Sequence, residues 1–511
     1  MAFSTVTSAI LQGLHVEMVS VEADVSNGLP MFHMVGYLSS EVKEASERVR
    51  TAIRNSGLEL PPRKIVVNLS PATVRKKGAS FDLPIALAVL ESVGALSDDV
   101  LEGTMVTGEL GLDGRVQKVA GILPMVLEAK EQGCHTCIIP GANAPEGALV
   151  EGIRIIGVES LKETYGYLTG TYAIAPTRCP KEGQKNWMND RLADFSDIQG
   201  QEAVKRAAEV AVAGGHNLLL VGPPGSGKSM TARRIATILP PPSPEESMEM
   251  TKIYSVSGLI DKERPLIAGR PFRSVHHTTT KAALIGGGAV LLPGEISLAH
   301  GGVLFMDELA EFPRTVLEVL RQPLEERKIR LVRTHGNYEF PANFMLVAAM
   351  NPCPCGNYPD LEKCVCTPSQ VQQYLGHVSQ PFLDRIDICM ETPKVPYEAL
   401  LTAKKQETSA QIRERVCAAR EIQSDRYRGT STLFNAMLGT KEIQKVCRLG
   451  EKEERLMKRA FTSLGLTART YYKILRVART IADLEASYEV REEHLMEAVG
   501  YRTLDKKYWG R

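Results

Sequence analysis

The sequence predicts an α/β protein in three parts: a mixed α/β domain over residues 1–170, a parallel-sheet domain over 194–394 and a helical domain over 395–511. Three observations carry that prediction. Residues 1–170 alternate short strand-like runs with helical stretches. Residues 194–394 hold runs that are apolar throughout, NLLLVG, GVLFMDE and FMLVAAMN, as strands buried on both faces of a parallel sheet must be. Beyond 395 such runs vanish and charged amphipathic helices take over.

In the first part VEMVSVEADV, KIVVNLS, TMVTGEL, TCIIP and IRIIGV read as strands, and 40–56 and 83–93 as helices. Residues 171–193 lose periodicity and gather Pro, Gly and charge, which marks a linker. The third part includes helices over 403–426 and 469–485. A chain of 511 residues is too long for one ordinary domain, so this division is the expected one. Basic and acidic residues nearly cancel, leaving a net charge of +1. That weighs against a protein that only coats nucleic acid, points to local DNA contact, and leaves room for a motor whose basic groups line a central pore. The first 25 residues lack a basic leader and carry acidic residues early, and no apolar run is long enough to span a bilayer. A cytoplasmic protein with no membrane partner is expected.

Gly222-Pro223-Pro224-Gly225-Ser226-Gly227-Lys228-Ser229 follows the apolar run 217–221 and opens a helical stretch over 230–239. Gly-rich backbone before a helix N-terminus wraps phosphate with N–H groups, where the helix dipole also favours negative charge. Lys228 is placed to reach the β and γ phosphates of ATP, and Ser229 to ligate Mg²⁺. About 80 residues on, GVLFMDE ends in Asp307 and Glu308. With a P-loop in the same chain, the first carboxylate reads as the second Mg²⁺ holder and the second as the group that polarises the attacking water. FMLVAAMN ends in Asn351, an amide able to orient that water without adding charge. Arg385, in PFLDRID, can neutralise γ-phosphate charge, as a neighbouring subunit often does; the alternative is an internal bridge to Asp384 or Asp387. Arg469, at the head of a helix in LTART, is placed to sense nucleotide from the helical domain.

Four of the ten cysteines crowd into Cys353-Pro354-Cys355 and Cys364-Val365-Cys366. Four thiolates can bind Zn²⁺ and close a loop with little core of its own; the alternative is partly buried thiols that pack. Cys134 and Cys137 have no partner pair and read as packing residues. Arg63, Lys64, Arg75, Lys76 and Lys77 read as a solvated face, with contact to a phosphate backbone as the alternative. His276, His277 and Lys281 lie in an insert between the P-loop and GVLFMDE, where contact with DNA and bracing of a ring both stay open; the histidines lack a metal-ligand pattern and are not read as ligands.

With those residues in hand, the chain resembles the YifB/ComM family of magnesium-chelatase-like AAA+ ATPases nearly end to end. The stretches that carry the likeness are LPMFHMVG (29–36), FDLPIAL (81–87), SVHHT (274–278), NPCPCG (351–356) and TARTYYKIL (467–475). The resemblance implies an AAA+ core with a helical lid, assembled as a homo-hexamer. It implies that Ile198, Gln199, Gly200 and Gln201 lie beside the adenine, and that Asn351, Arg385 and Arg469 serve as sensor 1, arginine finger and sensor 2. It further implies that 333–337, with Arg333 and His335, forms a hairpin facing the ring pore, and that the motor migrates branched DNA. The first part resembles the Lon-protease fold through TGELGLDGRV (107–116) and Ala120-Gly121. The dyad positions there read Met125 and, beside Ser80, Ala79; without a base for the serine, a non-proteolytic scaffold is expected. Two other functions stay open: a metal-insertion motor like the chelatase ATPase subunit, and a protein-remodelling ATPase whose first domain docks a protein client.

Overall fold

Strand β1 (Phe3–Gln12) and strand β2 (His15–Ser26) turn about Gly13 and pair antiparallel from Phe3↔Asp24 to Gln12↔His15. In β2 the alternate residues Val19, Val21, Ala23 and Val25 are buried, which fixes the face the hairpin turns inward. The structure, a computed structural model, describes residues 3–179, 193–288, 291–333, 336–395 and 406–510. Most of the linker, 180–192, and the start of the helix expected from 403 lie outside the described residues.

The hairpin is the middle of a seven-stranded mixed sheet. Its other strands are β3 (Met31–Val35), β4 (Lys64–Ser70), β5 (Thr104–Val106), β8 (Thr136–Pro140) and β9 (Arg154–Val158), in the order β3-β4-β2-β1-β5-β8-β9. Between β5 and β8, the short ribbon β6 (Glu109–Leu110) and β7 (Val116–Gln117) stands apart. The run 104–110 therefore forms two strands rather than one. Its backbone leaves the sheet at Gly108, which donates to the Ser80 carbonyl at 2.9 Å and accepts from the Leu83 N–H at 3.0 Å. The helix Asp82–Ser92 is buried on every side, so its sequence is apolar without a polar stripe. Its one carboxylate at the N-terminus, Asp82, is paired by Arg48 at 2.8 Å.

The second sheet has five strands, all parallel: β10 (Leu218–Val221), β11 (Phe272–Val275), β14 (Val303–Met306), β17 (Met345–Met350) and β18 (Ile388–Glu391), ordered β11-β14-β17-β10-β18. Every residue of β10, β14 and β17 is buried. Two small hairpins hang from this sheet: β12 (Gly286–Gly287) with β13 (Leu292–Pro293), and β15 (Lys328–Arg333) with β16 (Gly336–Pro341). The C-terminal helices Ser409–Arg426 and Ala468–Leu484 share one core with the helix Glu202–Gly214, through Ile412, Val416, Ile474, Ala478, Val204 and Ala208.

Asp387 ties these helices to the sheet. It accepts from the Asn217 N–H at 3.0 Å and lies 3.4 Å from the Lys473 ammonium of Ala468–Leu484. Burial alone would raise its pKa; Lys473, His216 and the Asn217 N–H outweigh it and hold the carboxyl well below the usual range. Its contribution to stability is therefore complete above the ordinary carboxylate range and fades only as pH falls below it. Asp387→Ala leaves Lys473 buried and unpaired, and is expected to cost about 3–5 kcal/mol in denaturant unfolding. Burial already pushes Lys473 down to about 8. The loss should be smaller at pH 9 than at pH 7, because above about 8 the native lysine is itself largely neutral and its pairing with Asp387 contributes less.

Candidate active site

Every strand of the parallel sheet ends at the carboxyl edge, where open α/β sheets gather ligands, in either the glycine-rich loop or a polar residue. Strand β10 runs into Gly222, β14 into Asp307 and Glu308, β17 into Asn351, β11 into His276 and His277, and β18 into Thr392. The phosphate loop turns through Gly225 and Gly227, with φ of +75° and +85°, conformations that glycine adopts at little cost. Lys228 opens the helix Lys228–Ile238, whose first N–H groups have no carbonyl partner within the helix. Its ammonium donates to the Gly222 carbonyl at 2.7 Å, the Pro223 carbonyl at 2.9 Å and Asn351 Oδ1 at 3.1 Å. Burial pushes the Lys228 pKa down, and Asp307 opposes that shift. The charge is thus folded back into the loop on neutral oxygens, a poorer solvation shell than a polyphosphate offers.

Ser229 Oγ donates to Asp307 Oδ2 at 2.6 Å. A hydroxyl and a carboxylate side by side are hard oxygen ligands of the kind Mg²⁺ takes together with phosphate oxygens. Glu308 has φ +52°, in the left-handed region, and its carboxylate lies 3.2 Å from His277 Nδ1. The parallel register of β11 and β14 sets Val275 opposite Met306, so His277 follows alongside Glu308. Ligand atoms of His276, His277 and Glu308 all fall within 4.8 Å of one another. The sequence neither marks the two histidines as ligands nor joins them to Glu308, because this meeting depends on the register of β11 with β14.

The strap Ile198, Gln199, Gly200 and Gln201 is fastened to the phosphate loop. Ile198 is buried, and Gly200 and Gln201 both have positive φ. Gln201 Nε2 donates to the Ser226 carbonyl at 2.8 Å and the Pro393 carbonyl at 2.9 Å. Ser226 Oγ meets Thr392 Oγ1 at 3.1 Å. Gln199 accepts from Gln406 at 3.5 Å.

Arg385 and Arg469 are not brought to this edge by any hydrogen bond or ion pair among the described residues. They converge instead on Glu325. Arg385 Nη2 lies 2.7 Å from its carboxylate and Arg469 Nη2 3.8 Å, with Arg469 Nη1 3.9 Å from Asp384. Among the described residues, then, Arg385 pairs with neither Asp384 nor Asp387. Arg333 ends β15, opposite Gly336, and His335 lies outside the described residues. The lower hairpin is charge-matched, with Lys328 at 2.7 Å and Arg330 at 3.3 Å from Glu339.

The four clustered cysteines meet. Cys353, Cys355 and Cys364 have sulfur separations of 3.4, 3.6 and 3.8 Å, and Cys366 joins them within 4.8 Å. The Asn357 N–H leads in pulling the Cys355 thiol down to about 6. Four sulfurs at these spacings can surround one soft or borderline cation. Cys137, by contrast, is fully buried beneath the first sheet, and burial pushes its thiol up. In the same domain Met125 is buried, and the Ser80 carbonyl accepts from Gly108. Lys76, expected on a solvated basic face, is instead fully buried, with its amine bonded to the Pro71 carbonyl and its pKa lowered by burial.

Comparison with known proteins covers the chain in three segments. Residues 21–143 match the model of subunit ChlI of Mg-chelatase, residues 194–400 that of magnesium chelatase, subunit ChlI, and residues 406–502 that of its C-terminal region. The competence protein ComM of Haemophilus influenzae is 41% identical over 508 residues, covering 99% of this chain and 98% of its own. YifB of Escherichia coli is 41% identical over 507 residues, with the same coverage of both chains. Lon protease 2 of Bacillus subtilis is 29% identical over 126 residues, 24% of this chain and 22% of its own, in keeping with a Lon-like first sheet.

Proposed function

Because the chain belongs to the YifB/ComM family of magnesium-chelatase-like AAA+ ATPases, we propose that it is an ATP-driven motor acting on branched or single-stranded DNA. ATP and Mg²⁺ are the ligands of that class, and its members usually oligomerise. Among the described residues no helix is long and apolar enough to cross a membrane. In this reading the units are 1–170, 194–394 and 395–511, joined by the linker 171–193, and the assembly is a cytoplasmic homo-hexamer.

The site is assigned as follows. Gly222, Pro223, Pro224, Gly225, Ser226 and Gly227 wrap the phosphates with backbone N–H groups, and Lys228 leaves its carbonyl partners to bridge the β and γ phosphates. Ser229 and Asp307 would hold Mg²⁺, which neutralises phosphate charge when bound. Glu308 takes the proton of the attacking water, and Asn351 orients that water. The strap Ile198–Gln201 lies beside the base. Arg385 and Arg469, gathered on Glu325 and with no bond to their own phosphate loop among the described residues, act together on the nucleotide of the adjoining subunit. The first domain is a non-proteolytic scaffold.

One observation carries the DNA reading: the β15–β16 hairpin. Lys328 and Arg330 at its base are paired with two carboxylates, Glu339 and Glu326, while Arg333 at its end has no carboxylate partner among the described residues and stands beside an exposed Val332. Unpaired positive charge is thereby left at Arg333, the last described residue of β15, where a phosphate backbone can be engaged. The likeness to a protein named for competence supports the same reading. The test is strand displacement from a labelled fork with ATP. Arg333→Ala should abolish displacement while leaving ATP binding intact; an unaffected variant, or no displacement by the native chain, argues for a protein client instead.

The sulfur cluster supports Zn²⁺ held by Cys353, Cys355, Cys364 and Cys366. Protein purified without chelator is expected to carry about one equivalent of zinc per chain by elemental analysis; less than about half an equivalent overturns this.

A further inference from the structure

We propose that the four-cysteine loop is a brace for the phosphate loop, with Gly356 as its positioning residue, so that metal occupancy sets nucleotide affinity. This rests on the zinc reading above. Three contacts carry it. Gly356 packs so closely on the Pro224 ring that a Cβ there would overlap Pro224 Cδ, and its φ of +80° separately favours glycine. Gly356 is held in place by the turn that starts at Cys353, whose carbonyl accepts its N–H at 3.0 Å. Cys353 in turn is fully buried and follows by two residues the Asn351 that bonds Lys228 at 3.1 Å.

The phosphate loop needs such a brace. Its ends are tied, with the Gly222 N–H on the Met350 carbonyl at 3.2 Å and the Ser226 carbonyl held by Gln201. Pro224 and Gly225 between them are exposed. The cysteine loop cannot supply stiffness from a core of its own: Leu361 and Val365 within it are 81% and 85% exposed. Beyond the Tyr358 ring set against Tyr508, its order comes from the convergence of four sulfurs. Thiols without a cation at their centre have little to hold three of them 3.4–3.8 Å apart and the fourth within 4.8 Å. Removing the cation therefore frees Gly356 from Pro224 and raises the entropy that nucleotide binding must remove. Coupling of this kind is reciprocal, so bound nucleotide should tighten the metal by the same factor.

The experiment uses the full chain, prepared with zinc and after chelator extraction followed by return to Mg²⁺ buffer. Nucleotide affinity is read with a fluorescent non-hydrolysable ATP analogue and zinc affinity by competition with a coloured chelator. Metal-free protein should bind the analogue about tenfold more weakly, and the analogue should strengthen zinc retention about tenfold. Gly356→Ala should weaken the analogue similarly while keeping its zinc, a separation that general unfolding would not produce. Equal nucleotide affinity with and without zinc, or a Gly356→Ala protein that binds normally, overturns the brace while leaving the zinc site standing. Protein that never carries zinc overturns both, and the metal analysis alone tells that case apart.

Discussion

Glu308→Gln is expected to cut the steady-state ATPase rate by about 10²- to 10⁴-fold, the usual contribution of a positioned general base. The substitution keeps shape and hydrogen bonding and removes only the basic oxygen. It leaves Lys228, Ser229 and Asp307 untouched, so ATP affinity should change by no more than about twofold and the loss should fall on kcat. A rate close to that of the native chain would remove Glu308 from the chemistry and leave its contact with His277 as a purely structural one.

Arg385→Ala is expected to be as severe, about 10³-fold or more in kcat, the range in which arginine fingers act. Its own chain bonds it to Glu325, the Arg321 carbonyl and the Pro381 carbonyl, and the phosphate loop is not among its partners. The account therefore requires action between subunits. Arg385→Ala protein has an intact nucleotide site, and Lys228→Ala protein has an intact arginine; each alone should be inactive. Mixed before assembly, they should recover a measurable fraction of the rate. Two inactive proteins that stay inactive when mixed, with assembly confirmed by light scattering, would return Arg385 to a structural role as the partner of Glu325.

What could be read from sequence was what lies in one stretch of chain. The phosphate loop, the strand ends at Asp307, Glu308 and Asn351, and the four cysteines are each local patterns, and apolar strands on both sides gave them their context. The first sheet was read less completely. Strand β1 carries Ser, Thr and Gln among its apolar residues, and β3 is a five-residue edge strand with alternate residues exposed, so neither makes a strong run. The contacts that depend on register or packing had no sequence signal. His277 reaches Glu308 through the pairing of β11 with β14, Arg385 and Arg469 share Glu325 across two domains, and Gly356 meets Pro224 by a loop folding back. The spacing of Arg385 from Asp384 and Asp387 suggested a local bridge. The structure gives Asp387 to Lys473 and Asn217 instead, because a buried carboxylate is better satisfied by a buried ammonium and a backbone N–H than by an arginine turned toward Glu325.

In the proposed function, hydrolysis at this sheet edge is coupled to DNA. That coupling is tested most directly by the steady-state ATPase rate with and without forked or four-way DNA, at low and high salt, with Glu308→Gln as the blank. The account predicts strong stimulation by branched DNA that weakens as salt rises and is absent from the Glu308→Gln protein. A robust ATPase that ignores DNA at every salt concentration would contradict it, and would leave an AAA+ ATPase whose client is a protein.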